Sequence, residues 1–147
     1  MDKRDVMLHL KSLIWCLSKD RQRYNLHLVL DCLHARHVPV SIQGTPLGRN
    51  LAYLIHELSC CESIYVLLNT LKMIPVSEIR IITPAGEFEL GQYLKTREKI
   101  GLVPPDSYGV VSFLGDAMRG LFYIEDCGMA EEPFSLDQVE VHMGITI

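Results

Sequence analysis

The chain has 147 residues, of which 48% are hydrophobic and 22% charged, with a formal net charge of −4. A chain of this length removes roughly 70% of its unfolded surface on folding, and its composition is far from the polar, highly charged profile of disordered chains. No stretch of about 18 uninterrupted apolar residues occurs, which excludes a membrane-spanning helix from the expectations. The opening Met1-Asp2-Lys3-Arg4-Asp5 is charged, and the apolar stretch after it is broken by His9, Lys11 and Ser12, unlike a secretion signal. The five cysteines (Cys16, Cys32, Cys60, Cys61 and Cys127) are odd in number and lack paired spacing, as expected of a protein kept in a reducing cytoplasm.

Charge is unevenly divided along the chain. Residues 1–73 hold nine Lys/Arg against six Asp/Glu, a net of +3, whereas residues 74–147 hold five against twelve, a net of −7. No Lys or Arg follows Arg119, while Glu125, Asp126, Glu131, Glu132, Asp137 and Glu140 accumulate there. A field of that sign repels phosphate and attracts basic surfaces.

Taken in order, Val6, Leu10, Leu13, Ile14 and Leu17 repeat at helical spacing and predict a helix over 3–18, with Asp2 or Asp5 as its cap. Leu26, Val29, Leu30 and Leu33 predict a second over 20–36, capped by Asp20. Val38-Pro39-Val40-Ser41-Ile42 reads as a short extended piece that Pro39 would confine to a sheet edge. Gly44-Thr45-Pro46 is a helix start, because Thr accepts from first-turn amides and Pro is tolerated at the first helical position. The helix it opens, 46–58, places Leu47, Leu51, Leu54, Ile55 and Leu58 on one face. A fourth, 61–73, carries Ile64, Leu67, Leu68 and Leu71 and ends before Pro75.

From Glu78 the hydrophobic period changes to two. Residues 78–82 and 87–90 flank Thr83-Pro84-Ala85-Gly86, which suits a type I turn, so a β-hairpin is expected. Residues 91–100 carry no clear pattern, 101–107 with Pro104-Pro105 read as a loop, and 109–114 and 121–125 read as two further strands. Glu125, Asp126, Glu131 and Glu132 lie within eight residues of a loop bounded by Cys127-Gly128 and Pro133, with no base nearby. Val139, Val141, Met143, Ile145 and Ile147 alternate with polar partners, the pattern of a strand with one buried face. The expected fold class is therefore α+β. About four helices in 1–74 pack with a mainly antiparallel sheet in 75–147, as one domain over 1–147.

Motif chemistry is thin. His27, Asp31 and His34 fall at i, i+4 and i+7 and share a helix face, which could supply part of a metal site or be a solvated polar face. His56-Glu57-Leu58-Ser59-Cys60 begins like the zinc-protease H-E-x-x-H helix but has Cys60 in place of the second histidine. Ser112 is not in a G-x-S-x-G elbow, there is no C-x-x-C, and the ten glycines form no phosphate-cradling loop, so no cofactor is implied.

The order from 20 to 90 (helix, short strand, helix, helix, hairpin) is that of a winged helix-turn-helix. A nucleic-acid reader of this kind would use Arg21, Arg23, Arg36 and Arg49. Its recognition helix, however, offers only Lys72 as a base and carries Glu62, and the wing carries Glu87 and Glu89. Phosphate neutralisation, the main source of affinity, is therefore poorly served. The leading expectation is a non-catalytic protein-binding module (an adaptor, inhibitor or immunity-type factor) that presents Glu125, Asp126, Glu131 and Glu132 to a basic protein partner. A winged-helix nucleic-acid-binding regulator is the alternative, and a small metal-dependent enzyme is third.

Overall fold

The computed structural model describes residues 3–17, 22–74, 80–83, 86–115, 117–124 and 128–142. Helix α1 (Lys3–Leu17) forms because Val6, Met7, Leu10, Leu13, Ile14 and Leu17 make one continuous apolar stripe, and all six are buried. Helix α2 (Gln22–Ala35) buries Val29, Cys32 and Leu33, with Leu26 and Leu30 half-buried beside them. Its expected cap, Asp20, lies outside the described residues. The C-terminal turn closes with His37 N donating to Cys32 O (3.1 Å) and Arg36 N to Leu33 O (3.3 Å), while Arg36 adopts a left-handed φ of 54°. That is the Schellman arrangement, with arginine in the place glycine usually takes.

The expected extended piece at 38–42 is not a strand. Val40–Ile42 form a 3-10 turn, η1, held by Ile42 N to Pro39 O (3.1 Å) and Gln43 N to Val40 O (3.4 Å). Val38 is buried but Val40 is 82% exposed, so the alternation does not define one buried face. Helix α3 (Pro46–Glu57) starts as the sequence predicts, with Pro46 in the first turn and the Thr45 hydroxyl accepting from Gly48 N at 3.1 Å. Leu51, Leu54 and Leu58 are fully buried. Helix α4 (Cys61–Lys72) buries Ile64, Leu67, Leu68 and Leu71. His9 of α1 donates from Nδ1 to Asn50 Oδ1 (2.5 Å) and stacks on Tyr53, both on α3, which ties those two helices together.

Strands β1 (Arg80–Thr83) and β2 (Gly86–Glu89) pair antiparallel, Arg80 opposite Glu89 and Thr83 opposite Gly86, as a separate two-stranded sheet. Pro84 and Ala85, where the type I turn was expected, lie outside the described residues.

The larger sheet contains β3 (Tyr93–Thr96), β4 (Tyr108–Leu114), β5 (Met118–Ile124), β6 (Gly128–Pro133) and β7 (Val139–His142), all antiparallel in the order β6-β5-β4-β3-β7. Two of these strands differ from the sequence expectation: β3 falls in the unpatterned stretch 91–100, and β6 occupies the expected loop bounded by Cys127-Gly128 and Pro133. Residues 143–147 of the last alternating segment lie outside the described residues. The fold is α+β, four helices in the N-terminal half and a five-stranded antiparallel sheet in the C-terminal half.

Helix α1 packs on β4, and α4 packs against β6. Leu121, Val110, Tyr93, Met129 and Tyr123, alternate residues of their strands, are buried, and Lys11 of α1 places its ammonium 5.1 Å from the Tyr93 ring centre. On the opposite face Phe122 lies across Gly109 and Gly120, where an added Cβ would come within 2.4 and 2.7 Å of its ring. Phe134 meets Phe122 edge-on, 6.4 Å between centroids. Buried residues of the helices and of the sheet form one continuous cluster. Among the described residues, no helix is long and apolar enough to cross a membrane.

Candidate functional site

Of the four carboxylates expected to face a partner, Glu125 and Asp126 lie outside the described residues. Glu131 and Glu132 are consecutive on β6 and therefore project to opposite faces of the sheet. Glu131 is not free of bases. Arg119 Nη1 on β5 lies 3.1 Å from both of its carboxylate oxygens, and the Glu131 side chain is only 17% exposed. Antiparallel pairing sets Leu121 opposite Glu131 and so brings Arg119, twelve residues earlier in the chain, to the diagonal position. Glu132 is half-buried, its carboxyl carbon against Gly101, where an added Cβ would come within 2.5 Å. The acidic character of this half is carried outward by Glu98, Asp106, Asp137 and Glu140, all exposed.

Two of the four arginines of the nucleic-acid reading, Arg36 and Arg49, are exposed. Arg21 lies outside the described residues and Arg23 falls in the first turn of α2. Arg49 is exposed on α3. Arg36, at the end of α2, donates from Nη2 to Cys61 Sγ at 3.1 Å. The short strand that a winged helix would add to its hairpin is replaced by η1, and among the described residues β1 and β2 pair only with each other.

His27, Asp31 and His34 are exposed on one face of α2, as their spacing predicts. Among the described residues, no three His, Cys, Asp or Glu side chains come together as a metal-binding group. The His56–Cys60 resemblance to a zinc helix fails locally, because α3 ends at Glu57 and Cys60 caps the next helix, so the one-turn spacing is lost. Ser112 is buried and donates to Arg119 O at 3.3 Å, a structural role.

Sequence reading missed a groove of about 520 Å³ between the end of α2, η1 and α3. Buried Val38 and half-buried Ile55 lie beneath exposed Arg36, His37 and His56, and Gln43 Nε2 donates to Val38 O at 3.1 Å. The volume is that of small-molecule sites. All of its lining residues fall between positions 36 and 56, but they come together only because η1 turns the chain where an extended piece was expected.

The groove borders a thiol pair, since Arg36 both lines it and touches Cys61. Among the described residues, Cys32 is buried and Cys60 and Cys61 are exposed. Burial, reinforced by Asp31, pushes the Cys32 thiol up. At Cys60 the backbone amides of Ser63 and Glu62, in the first turn of α4, hold the thiol below its ordinary range, against the opposing effects of desolvation and then of the Glu62 charge. The Ser63 hydroxyl, at the start of α4, is fully buried and has no hydrogen-bond partner among the described residues. No protein-family model, curated protein or solved structure matches this chain.

Proposed function

We propose that this chain is a non-catalytic protein-binding module of the adaptor, inhibitor or immunity type, whose sheet half meets a basic protein partner. The observation that supports this reading is the coincidence of charge with architecture. The segment holding the four helices has a net charge of +3, and the segment holding both sheets has −7. A division of that kind gives the molecule an electrostatic direction and speeds encounter with a partner of opposite sign. Edge strand β6 carries part of the acidic segment, so a partner approaching that edge meets carboxylates first.

The Arg119–Glu131 pair changes the weight of the four acids. Glu131 already has its counter-charge, so the attraction rests on the other three acids, Glu125, Asp126 and Glu132, and removing Glu131 would uncover Arg119. The test compares three forms: wild type, the variant neutralised at Glu125, Asp126 and Glu132, and the variant neutralised at all four. Association rates with a partner isolated from native extract are measured at two salt concentrations. Slower association and a flatter salt dependence in both variants are expected. Equal rates at low salt would remove the reading. Binding of mixed-sequence nucleic acid that weakens linearly in log affinity against log salt would replace it with the nucleic-acid alternative.

A further inference from the structure

We propose that the groove between the end of α2, η1 and α3 is a binding site for a small monocarboxylate with an apolar body, in which the Arg36 guanidinium takes the carboxylate and Val38, Ala52 and Ile55 receive the apolar part. The site lies in the helical half, so it stands apart from any partner of the sheet half. The space exists for a sequence reason. Gly48, Ala52, Ile55 and His56 fall at i, i+4, i+7 and i+8 on α3 and share the face that lines the groove, and the first two carry almost no side chain. A volume of about 520 Å³ is left between that face and the end of α2. Val38 is buried and Ile55 half-buried, whereas Arg36, His37 and His56 around them are exposed. An apolar lining with a few convergent polar groups is the usual make-up of a small-molecule site.

Arg36 selects the charge of the ligand. It holds a left-handed φ of 54°, a conformation that glycine adopts freely and arginine does not, and residues kept in such conformations cluster at ligand clamps. His37 N to Cys32 O and Arg36 N to Leu33 O fix the backbone there, and they cap two of the α2 carbonyls that would otherwise repel an anion. The side chain is anchored as well, since Nη2 donates to Cys61 Sγ at 3.1 Å. A guanidinium carries five N–H donors in a planar fork that matches a planar carboxylate, and Arg36 is exposed at the groove, where its other donors can meet one. Among the described residues that line the groove, Arg36 is the one Lys or Arg and no Asp or Glu occurs; Glu57, 3.9 Å from His56, is outside the lining. One permanent positive charge matches one negative charge, which favours a monocarboxylate over a doubly charged phosphate.

The full chain, isotopically labelled, is titrated with phenylacetate and read by NMR amide shifts. A ligand of that size is expected to bind in the millimolar range, with saturable shifts at Arg36, His37, Ala52, Ile55 and His56. Phenylacetamide keeps the ring without the charge, and acetate keeps the charge without the ring. Each should bind about fivefold more weakly or worse, and inorganic phosphate should not saturate the groove. These comparisons use the unaltered chain and need no variant. Arg36→Gly removes the guanidinium and relieves the left-handed strain, so it should be at least as stable as wild type in urea while losing the preference for phenylacetate over its amide. Ala52→Leu fills the groove from an exposed helix position and should weaken phenylacetate and phenylacetamide alike. The proposal is overturned if no saturable shift appears at tens of millimolar phenylacetate or if the shifts map away from the groove. It is equally overturned if the amide, acetate or phosphate binds there as well as phenylacetate, if Arg36→Gly keeps the preference, or if a folded Ala52→Leu binds like wild type.

Discussion

Replacing Gly48 with alanine sets two opposing effects against each other. Alanine is favoured over glycine in a helix by about 1 kcal/mol, so propensity alone predicts stabilisation. The packing predicts the reverse. A Cβ at Gly48 would lie 1.8 Å from Ile42 O and 2.7 Å from Ile42 C, both backbone atoms that no rotamer change can move. A carbon–oxygen contact is comfortable at about 3.3 Å, so η1 and α3 would have to separate by about 1.5 Å. The contacts that hold them are the ones broken: Thr45 N to Ile42 O (3.0 Å), the Thr45 hydroxyl to the same oxygen (2.7 Å), and Gly48 N to the Thr45 hydroxyl (3.1 Å). Losing a threonine cap costs about 1–2 kcal/mol, and the accompanying hydrogen bonds about 1 kcal/mol each.

Set against the propensity gain, Gly48→Ala should destabilise by about 2–3 kcal/mol, or roughly 5–10 °C in Tm for a chain of this length. Urea denaturation at constant m-value reads the change as a lower midpoint. Gly44→Ala is the matched control, because nothing lies within 4 Å of its Cβ position and its midpoint should stay near wild type. A Gly48→Ala protein as stable as wild type, or more so, would refute the close approach of η1 to α3 and with it the shape of the groove, which Gly48 also lines.

Two further outcomes are expected. Phe122→Ala should cost about 3–5 kcal/mol, because the ring is fully buried over Gly109 and Gly120 and neither neighbour has a side chain to fill the void; a loss under about 1 kcal/mol in urea denaturation would contradict that packing. The Ser135 hydroxyl, 2.6 Å from Asp137 Oδ1, holds that carboxyl below its ordinary range, so its contribution to stability is complete at neutral pH and is lost as pH falls through the lowered value. Ser135→Ala should move the Asp137 titration, followed by NMR, back up toward an ordinary aspartate, and an unmoved midpoint would rule out Ser135 as the cause.

What the sequence made legible follows from where the determining physics is local. Thr45-Pro46 and the leucine spacing place α3 to within a residue because cap chemistry and the apolar stripe both act over a few positions. Strand β3 escaped detection because Tyr93, Leu94 and Thr96 are all buried, so a strand covered on both faces shows no alternation. Strand β6, Gly-Met-Ala-Glu-Glu-Pro, is poor in strand-forming residues and extends because β5 pairs with it, a tertiary cause that no local pattern carries. The same register produces the Arg119–Glu131 pair. At 38–42 the apolar alternation was real but had no neighbouring strand to serve, and the chain turned instead. Arg36 in a left-handed cap gives no signal in sequence at all, since glycine or asparagine is the usual mark of that position.

The acids of β6 have a second physical explanation that competes with partner binding, and one measurement separates the two. Strand β6 is an edge of the five-stranded sheet, and an edge offers backbone groups to any other strand. Consecutive charges and a terminal proline, as in Glu131-Glu132-Pro133, are what blunts such an edge against pairing with another copy. Glu131 is largely neutralised by Arg119, so the repulsion between copies rests mainly on Glu132. If edge protection is its duty, Glu132→Gln should self-associate at lower protein concentration than wild type in sedimentation velocity. Raising the salt should then bring wild type toward the variant, because charges more than about 10 Å apart are screened at 0.1 M. A Lys at the same position should restore wild-type behaviour toward self-association, since either sign of charge repels a copy, while it should weaken attraction to a basic partner. Glu132→Gln and Glu132→Lys therefore move together under partner attraction and apart under edge protection. Identical sedimentation of all three proteins would eliminate edge protection and leave Glu132 available to the encounter alone.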